Sequence, residues 1–302
     1  MKVLVASSSM VARPLTDLLI GSRHEVVGFL TTPDAPQGRG REIAENAFAS
    51  FARVYSIPIF KANSADEIQQ AILQTEAEIV VTASYGRFIR KRELSQPKYG
   101  WLNVHFSLLP RWRGASPVQR AIENGDSKTG VTIFRLDEGM DTGPIFTTID
   151  YVMQGNERTE ELLHHLAEMA VQPLGRALDL IEEGVQPQSQ LNSDVTLAPK
   201  ITKDEGRIEW SRTSAEIERK VRAFSQWPTA WSSLNGSRMS ILSVKTSPRK
   251  LPPGTLSISE GAFVGTGDGS LELMEVKPEG KRAMSAEDWL RGARLHEGAQ
   301  FS

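Results

Sequence analysis

Short apolar runs alternate with longer amphipathic segments along the first two thirds of the chain. The apolar runs at residues 2–6, 24–30, 57–60 and 77–83 predict the strands of a sheet. Strands separated by helix-length segments are typical of parallel sheets, because a parallel connection has to cross over one face of the sheet. The pattern therefore predicts a mostly parallel sheet with covering helices.

Apolar residues recur at helical spacing in several of the intervening segments. The helices that this periodicity predicts run from Leu15 to near Gly21 and over residues 42–55, 65–75, 117–124 and 160–183. Pro173 is expected to break or kink the last of them. Residues 31–41 are polar, contain proline and glycine, and predict a loop.

The stretch 101–114 contains two candidate functional residues. It begins as an apolar strand and runs into a polar turn ahead of a helix. Asn103 and His105 are two residues apart on that strand, so their side chains share a face at its carboxyl end. Ligands of open α/β sheets bind at that edge. An amide and an imidazole there can hydrogen-bond to one carbonyl oxygen, and Asp141 from a downstream loop could orient or charge the imidazole.

The last third of the chain has a different pattern. A polar stretch with two prolines, residues 186–199, predicts a linker, and short strands separated by glycine turns follow it. Such strands favour a small barrel. The predicted domains are residues 1–190, a linker at 191–202, and residues 203–302. The predicted fold class is α/β: a Rossmann-like, mostly parallel sheet domain followed by a small, OB-like β-barrel.

Composition excludes several classes of protein. The 302 residues carry a formal net charge of −2, which gives no global attraction to nucleic acid. The chain has no cysteine, which excludes disulfides, cysteine nucleophiles and thiolate metal sites. No apolar run reaches the roughly 18 residues of a membrane-spanning helix, and no early stretch has the pattern of a secretion signal. We therefore expect a cytoplasmic protein that binds no membrane.

The residues around Asn103 resemble a known signature. Asn103-x-His105 is followed by Ser-Leu-Leu-Pro at 107–110, by Arg-Gly at 113–114, and by the loop Asp-x-Gly-x-Asp-Thr-Gly at 137–143. This combination is similar to that of the formyltransferases that use 10-formyltetrahydrofolate. A single histidine at a strand end is more often structural than catalytic, but the joint pattern is long and mixed in residue type, which favours catalysis.

The resemblance implies a site and a cosubstrate. It gives catalytic roles to Asn103 and His105, which would donate hydrogen bonds to the oxyanion of a tetrahedral intermediate. It also implies that Asp141 would raise the pKa of the imidazole and assist proton removal. The residues that it implies for substrate binding are Ser107, Leu108, Leu109, Pro110, Tyr85, Gly86 and Arg39. No metal is implied, 10-formyltetrahydrofolate is consumed as a cosubstrate, and a monomer is expected.

Three further features narrow the resemblance to the methionyl-tRNA formyltransferases. They are the Gly-Arg-Gly loop at 38–40, the segment 200–210, and the segment 222–231 together with 283–287. In those enzymes the Gly-Arg-Gly loop contacts the acceptor end of the tRNA. The resemblance thus implies methionyl-initiator tRNA as a partner, whose phosphates the barrel would bind. On the sequence alone, the loop could equally be a solvated surface loop.

Two other activities stay open from the sequence. A formyltransferase acting on an aminosugar nucleotide would carry the same N-terminal motifs. A hydrolase of formyltetrahydrofolate would use a related Asn, His and Asp site with water as the nucleophile, but it would have no reason to keep the Arg39 loop.

Overall fold

The protein folds into two compact units. The structure, a computed structural model, describes residues 1–37 and 42–302. The first unit is built from Met1–Gly114, Lys128–Val152 and Leu163–Ala198. The second unit is built from Ala115–Ser127, Met153–Leu162 and Pro199–Ser302. Neither unit is continuous in sequence, because two short segments of the first 198 residues belong to the second unit.

Strands and helices alternate through the first 198 residues. The strands are β1 (Lys2–Ala6), β2 (Glu25–Thr31), β3 (Ala35–Gln37), β4 (Glu42–Ala44), β5 (Ile59–Lys61), β6 (Ile79–Thr82), β7 (Trp101–His105), β8 (Arg113–Gly114), β9 (Lys128–Arg135), β10 (Ile145–Val152) and β11 (Leu197–Ala198). The helices are α1 (Arg13–Ile20), α2 (Ala47–Ala52), α3 (Ala65–Thr75), α4 (Lys91–Leu94), α5 (Pro117–Asn124), α6 (Thr159–Met169) and α7 (Val171–Glu182). In the part of the chain that the structure describes, no helix has the length and apolarity needed to cross a membrane.

The main sheet of the first unit has the strand order β10-β9-β7-β6-β1-β2-β5 among the described residues. The pairings from β7 through to β5 are parallel, whereas β9 and β10 are antiparallel to their neighbours. This confirms the predicted mostly parallel sheet. All residues from Val3 to Ala6 in β1 are buried, as expected for a strand covered on both faces.

The strand β7 lies in the interior of this sheet and ends at the edge where ligands bind in such folds. Trp101 at its start is completely buried, and its indole N–H donates to the carbonyl of Glu93 at 2.9 Å, which anchors the strand. Thr82 of β6 pairs with Asn103 of β7. The residues that follow β6 therefore lie at the same edge of the sheet as Asn103 and His105.

The structure differs from the sequence prediction in residues 31–55. β3 and β4 form a hairpin where a loop and the start of a helix were expected. The helix α2 begins only at Ala47 because Asn46 caps it, its side-chain oxygen accepting from the N–H of Ala49 at 3.0 Å. The amide group of Asn46 also donates to the Thr31 hydroxyl at 2.8 Å, which ties the cap to the end of β2.

The break in the long helical segment lies at Ala170, three residues before the expected position. α6 ends at Met169, and α7 begins at Val171. Pro173 lies in the first turn of α7, where the backbone N–H that proline lacks would have no helical partner. The proline is therefore accommodated at a helix start and does not break a helix.

Antiparallel strands form the C-terminal part of the second unit. The strands are β12 (Ala230–Leu234), β13 (Ser237–Ser247), β14 (Leu256–Ser257), β15 (Phe263–Gly265), β16 (Ser270–Pro278) and β17 (Met284–Ser285). The helices are α8 (Ser214–Ala223) and α9 (Ala286–Gly292). The described strands pair in the order β12-β13-β16-β15-β14, with β17 added to β16. A capping box of Thr213 and Glu216 begins α8, as the sequence predicts.

The C-terminal residues join the two edges of this sheet. Gln300 forms a bridge with Thr255, which adjoins β14 at one edge. Ser302 exchanges two backbone hydrogen bonds of 2.9 Å with Ser233 in β12 at the other edge. The sheet is closed in this way, and the predicted small barrel is confirmed.

The closing segment is fixed to the barrel core by Phe301, which is 5% exposed and lies 5.5 Å from the Trp210 ring. Phe301→Ala should lower the free energy of unfolding by about 3–5 kcal/mol, because it leaves a cavity in a packed aromatic cluster. Urea denaturation measures this loss. Met274→Ala in β16, where the side chain is 45% exposed, is the control and should cost about 0.5 kcal/mol. Equal losses for the two variants would contradict the closing role of Phe301.

Candidate active site

His105 ends β7 and is buried, with 5% of its surface exposed. Its Nε2 lies 2.9 Å from the backbone carbonyl oxygen of Trp112. A carbonyl oxygen can only accept a hydrogen bond, so Nε2 has to carry the hydrogen. In the neutral ring, the lone pair is then on Nδ1.

Asp141 lies on the Nδ1 side of the imidazole. Its Oδ2 is 3.7 Å from Nδ1 of His105 and accepts a hydrogen bond of 2.7 Å from the backbone N–H of Gly114. The loop around it is held locally by Asp137, whose carboxylate accepts from the hydroxyl of Thr142 at 2.7 Å. Asp141 itself has a φ of 53°, in the left-handed region that aspartate tolerates better than most residues.

Burial sets the protonation state of the imidazole. It lowers the pKa of His105 below the ordinary value, while the charge of Asp141 and the hydrogen bond to Trp112 act in the opposite direction. The expectation that Asp141 raises this pKa has the right sign for the aspartate alone, but burial outweighs it. At neutral pH the imidazole of His105 is therefore neutral.

Asn103 lies two residues before His105 on the same face of β7, and its side chain is partly exposed. In the part of the chain that the structure describes, its amide group makes no hydrogen bond to protein. Both N–H groups of the amide are therefore available to a bound molecule. Of the three residues expected to be catalytic, His105 and Asp141 are brought together, and Asn103 lies beside His105 with its donors unused.

The Ser-Leu-Leu-Pro segment is held by hydrogen bonds of its own. The buried hydroxyl of Ser107 donates to the carbonyl of Arg111 at 2.6 Å. Thr132 of β9 donates to the carbonyl of Ser107 at 2.7 Å and accepts from the N–H of Leu109 at 3.1 Å. Ser107 and Leu109 therefore fix the loop, while Leu108 and Pro110 are partly exposed.

Tyr85 and Gly86 follow β6 at the same edge of the sheet. Tyr85 is 4% exposed, and its hydroxyl has no hydrogen-bond partner among the described residues. Burial raises the pKa of Tyr85 to about 12. Gly86 has a φ of 78°, which suits glycine at this turn. Arg39, the remaining residue expected to bind substrate, lies outside the described residues.

Two backbone groups and one side chain of the site were not predicted from the sequence. The carbonyl of Trp112 fixes His105, and the N–H of Gly114 fixes Asp141. Gln190 hydrogen-bonds to the carbonyl of Asp141. The Arg-Gly motif could have directed attention to Gly114, but a backbone carbonyl leaves no trace in a sequence.

The described residues include side chains of the types that can bind a metal ion. Within residues 1–37 and 42–302, no three histidine, aspartate or glutamate side chains lie close enough to hold a metal ion.

Two family models match the chain. The model described as formyl transferase matches residues 1–178, and the model described as formyl transferase, C-terminal domain, matches residues 200–294. Together the two models match most of the chain.

Named relatives are similar to this chain over its whole length. A methionyl-tRNA formyltransferase of Renibacterium salmoninarum is 38% identical over 305 residues, which cover 100% of this chain and 99% of the relative. One of Cutibacterium acnes is 40% identical over 314 residues, which cover 100% of both.

Solved structures share the fold at lower identity. HypX from Aquifex aeolicus, in complex with tetrahydrofolic acid, has a TM-score of 0.69 at 19% identity and covers 96% of this chain and 47% of HypX. An N-formyltransferase from Helicobacter canadensis has a TM-score of 0.67 at 18% identity and covers 90% of this chain and 98% of that protein. A methionyl-tRNA formyltransferase from Clostridium thermocellum has a TM-score of 0.60 at 17% identity and covers 82% and 94%.

The matched models cover most of the chain, and the named relatives match its full length at 38–40% identity. The chain therefore belongs to the methionyl-tRNA formyltransferase family of formyltransferases.

Proposed function

We propose that the chain transfers the formyl group of 10-formyltetrahydrofolate to the α-amino group of methionyl-initiator tRNA. The observation that carries the proposal is the buried His105–Asp141 couple, which lies beside an Asn103 amide whose donors are unused. Membership of the family supports formyl transfer as the reaction. The full-length relatives named for methionyl-tRNA support that acceptor over an aminosugar.

Asn103 is suited to stabilise the charge that develops on the formyl oxygen. When the amine attacks the formyl carbon, the carbonyl oxygen becomes the oxyanion of a tetrahedral intermediate. The amide N–H groups of Asn103 can donate to that oxygen at the edge of the sheet. A preorganised donor of this kind contributes roughly 10²–10³ in rate.

His105 is suited to move the proton that the attacking amine has to lose. Its Nδ1 lone pair accepts the proton, directly or through one water molecule. The imidazolium that forms faces Oδ2 of Asp141 at 3.7 Å, and the negative charge stabilises it. When the C–N10 bond breaks, the proton passes to N10 of the folate, so that tetrahydrofolate leaves and the imidazole is neutral again.

This role of His105 differs from the one that the resemblance suggested. A neutral imidazole that donates its Nε2 hydrogen to the carbonyl of Trp112 has no second N–H for the oxyanion. The geometry therefore favours Asn103 as the oxyanion donor and His105 as the base. Asp141 acts on the charged form of the ring.

The barrel and the loop around Arg39 are the proposed contacts for tRNA. β3 and β4, which precede and follow residues 38–41 in the sequence, pair with each other and not with the main sheet. Contacts to phosphates would fix the position of the tRNA without reading its bases. We also propose that the protein works in the cytoplasm, as a monomer, with 10-formyltetrahydrofolate as its other substrate.

An assay with 10-formyltetrahydrofolate and three acceptors tests the proposal. Methionyl-tRNA should be formylated, whereas an aminosugar nucleotide and water should not accept the group at a comparable rate. In the same assay Asn103→Ala, His105→Ala and Asp141→Ala should each lower kcat by at least about 10², because each removes an oxyanion donor or a proton-transfer group.

His164→Ala is the control for these variants, since His164 is an exposed histidine on α6 and should leave kcat unchanged. A folded His105→Ala protein with near-normal turnover would remove His105 from the mechanism. Formate released at the same rate without any amine acceptor would favour the hydrolase, and preferred formylation of the aminosugar would replace the tRNA assignment.

Arg39 should contribute to the use of methionyl-tRNA and not to the binding of folate. Arg39→Ala should lower kcat/KM for methionyl-tRNA by an amount equivalent to about 1.5–3 kcal/mol, the range for hydrogen bonds to charged groups. Steady-state rates over a series of tRNA concentrations measure this, with Arg92→Ala, an exposed arginine of α4, as the control. Recovery in Arg39→Lys would show that charge alone suffices. An unchanged kcat/KM for Arg39→Ala would return the loop to a solvated surface role.

A further inference from the structure

Gln190 makes four hydrogen bonds with the loops that surround His105 and Asp141. Its Nε2 donates to the carbonyl oxygens of Asp141 and Gly143, each at 2.8 Å. Its Oε1 accepts from Nε of Arg113 at 3.1 Å and from Nη2 of Arg113 at 2.6 Å. One amide side chain thus uses both N–H groups and its oxygen, and joins two loops that are distant in sequence.

These two loops supply both partners of the imidazole. Arg113 stands between Trp112, whose carbonyl accepts from His105, and Gly114, whose N–H donates to the Asp141 carboxylate. Gln190 therefore connects the loop that contains Arg113 to the backbone of Asp141, and so links the two loops that contact the imidazole of His105. Its bonds also hold the carbonyl of Asp141, a residue whose φ of 53° needs support from its surroundings.

The chain around Gln190 is itself fastened at two points. Before it, Gln188 exchanges backbone hydrogen bonds of 2.7 and 2.8 Å with Ile145 at the start of β10. After it, the hydroxyl and carbonyl oxygens of Thr196 accept from the N–H groups of Trp112 at 2.8 Å and Arg113 at 2.9 Å. The segment 188–198, which lies within the linker that composition predicts at 186–199, is thus hydrogen-bonded to the loops that contain Trp112, Arg113 and Asp141.

We propose that Gln190 is a positioning residue, which holds the Asp141 carboxylate at its distance from Nδ1 of His105 by fixing both loops. It does not touch the reacting atoms. Its effect on turnover rests on the proposed formyl transfer, whereas its effect on the His105–Asp141 couple does not. A misplacement of 1 Å in such a couple can cost on the order of 10² in rate, so a side chain that only supports it can still affect kcat.

Three variants separate this role from general support of the fold. Gln190→Ala removes all four bonds, and Gln190→Glu keeps an acceptor for Arg113 but places a carboxylate oxygen against the carbonyls of Asp141 and Gly143. Gln188→Ala is the matched control, because Gln188 is exposed and its bonds to Ile145 come from the backbone. Thermal unfolding and circular dichroism verify that each variant is folded.

Two readouts are measured on each variant. The first is kcat and KM for methionyl-tRNA and for 10-formyltetrahydrofolate. The second is the pKa of His105, followed by NMR of its ring and assigned by comparison with His105→Gln. Asp141 is the charged group among the described residues that acts on this imidazole, and it opposes the effect of burial. Losing its alignment should therefore lower the pKa of His105 further.

We expect kcat to fall roughly tenfold in Gln190→Ala and in Gln190→Glu, with both KM values within about twofold of wild type, since positioning affects the reacting groups more than binding. The pKa of His105 should fall in Gln190→Ala, as it should in Asp141→Asn. Adding Gln190→Ala to Asp141→Asn should produce no further fall, because the two changes act through one interaction.

Several results would overturn the proposal. Wild-type kcat and an unchanged pKa of His105 in folded Gln190→Ala would show that the amide positions nothing. Wild-type behaviour of Gln190→Glu would show that only the bond to Arg113 matters. An additive pKa shift in the double variant would place Gln190 outside the couple. If wild type formylates none of the acceptors, the proposed function fails, while the NMR titration still decides whether Gln190 holds Asp141 against His105.

Discussion

The site depends on a hydrogen bond that can be made in only one direction. Nε2 of His105 lies 2.9 Å from a backbone carbonyl, and a carbonyl oxygen has no hydrogen to give. The ring therefore has a fixed tautomer and a fixed orientation, with its lone pair directed to the side of Asp141. Burial lowers the pKa of the ring and keeps it neutral, and the proposed transfer of the amine proton requires such a free lone pair on Nδ1.

The loop that provides this carbonyl has an unusual backbone path. Trp112 has a φ of 59° and Gly114 a φ of 126°. A Cβ atom at Gly114 would lie 2.6 Å from the carbonyl oxygen of Ala198, so glycine is needed where the N–H has to reach Asp141. Gly143, after Asp141, has the same requirement, because a Cβ there would lie 1.8 Å from the carbonyl oxygen of Arg135. The side chains of the couple are thus placed by glycines and carbonyls that do not react.

The sequence predicts the elements whose signals are local. α3 and α5 have the expected bounds because the first is begun by a capping box at Ser64 and Glu67 and the second lies between Pro117 and Gly125. It does not predict the β3–β4 hairpin, whose strands are only three residues each and pair with one another away from the main sheet. Strands of that length carry too little alternation to be recognised.

In the candidate site, too, some features could be predicted from the sequence and others could not. Asn103, His105 and Asp141 could be proposed from their spacing and from a resemblance, because both depend on the types of side chain in the sequence. The direction of the pKa shift of His105 could not be predicted. A sequence shows the charge of Asp141, but it does not show the degree of burial, whose effect on the pKa is larger. Gln190 was hidden for a different reason: its partners are backbone carbonyls and an arginine far away in sequence.

The role of His105 as the base is tested most directly by the protonation state of its two ring nitrogens, measured by ¹⁵N NMR at neutral pH. We expect a neutral ring with hydrogen on Nε2, no hydrogen on Nδ1, and a pKa below the ordinary value of 6.5. A ring with hydrogen on Nδ1, or one that is charged at neutral pH, would contradict the assignment of His105 as the base.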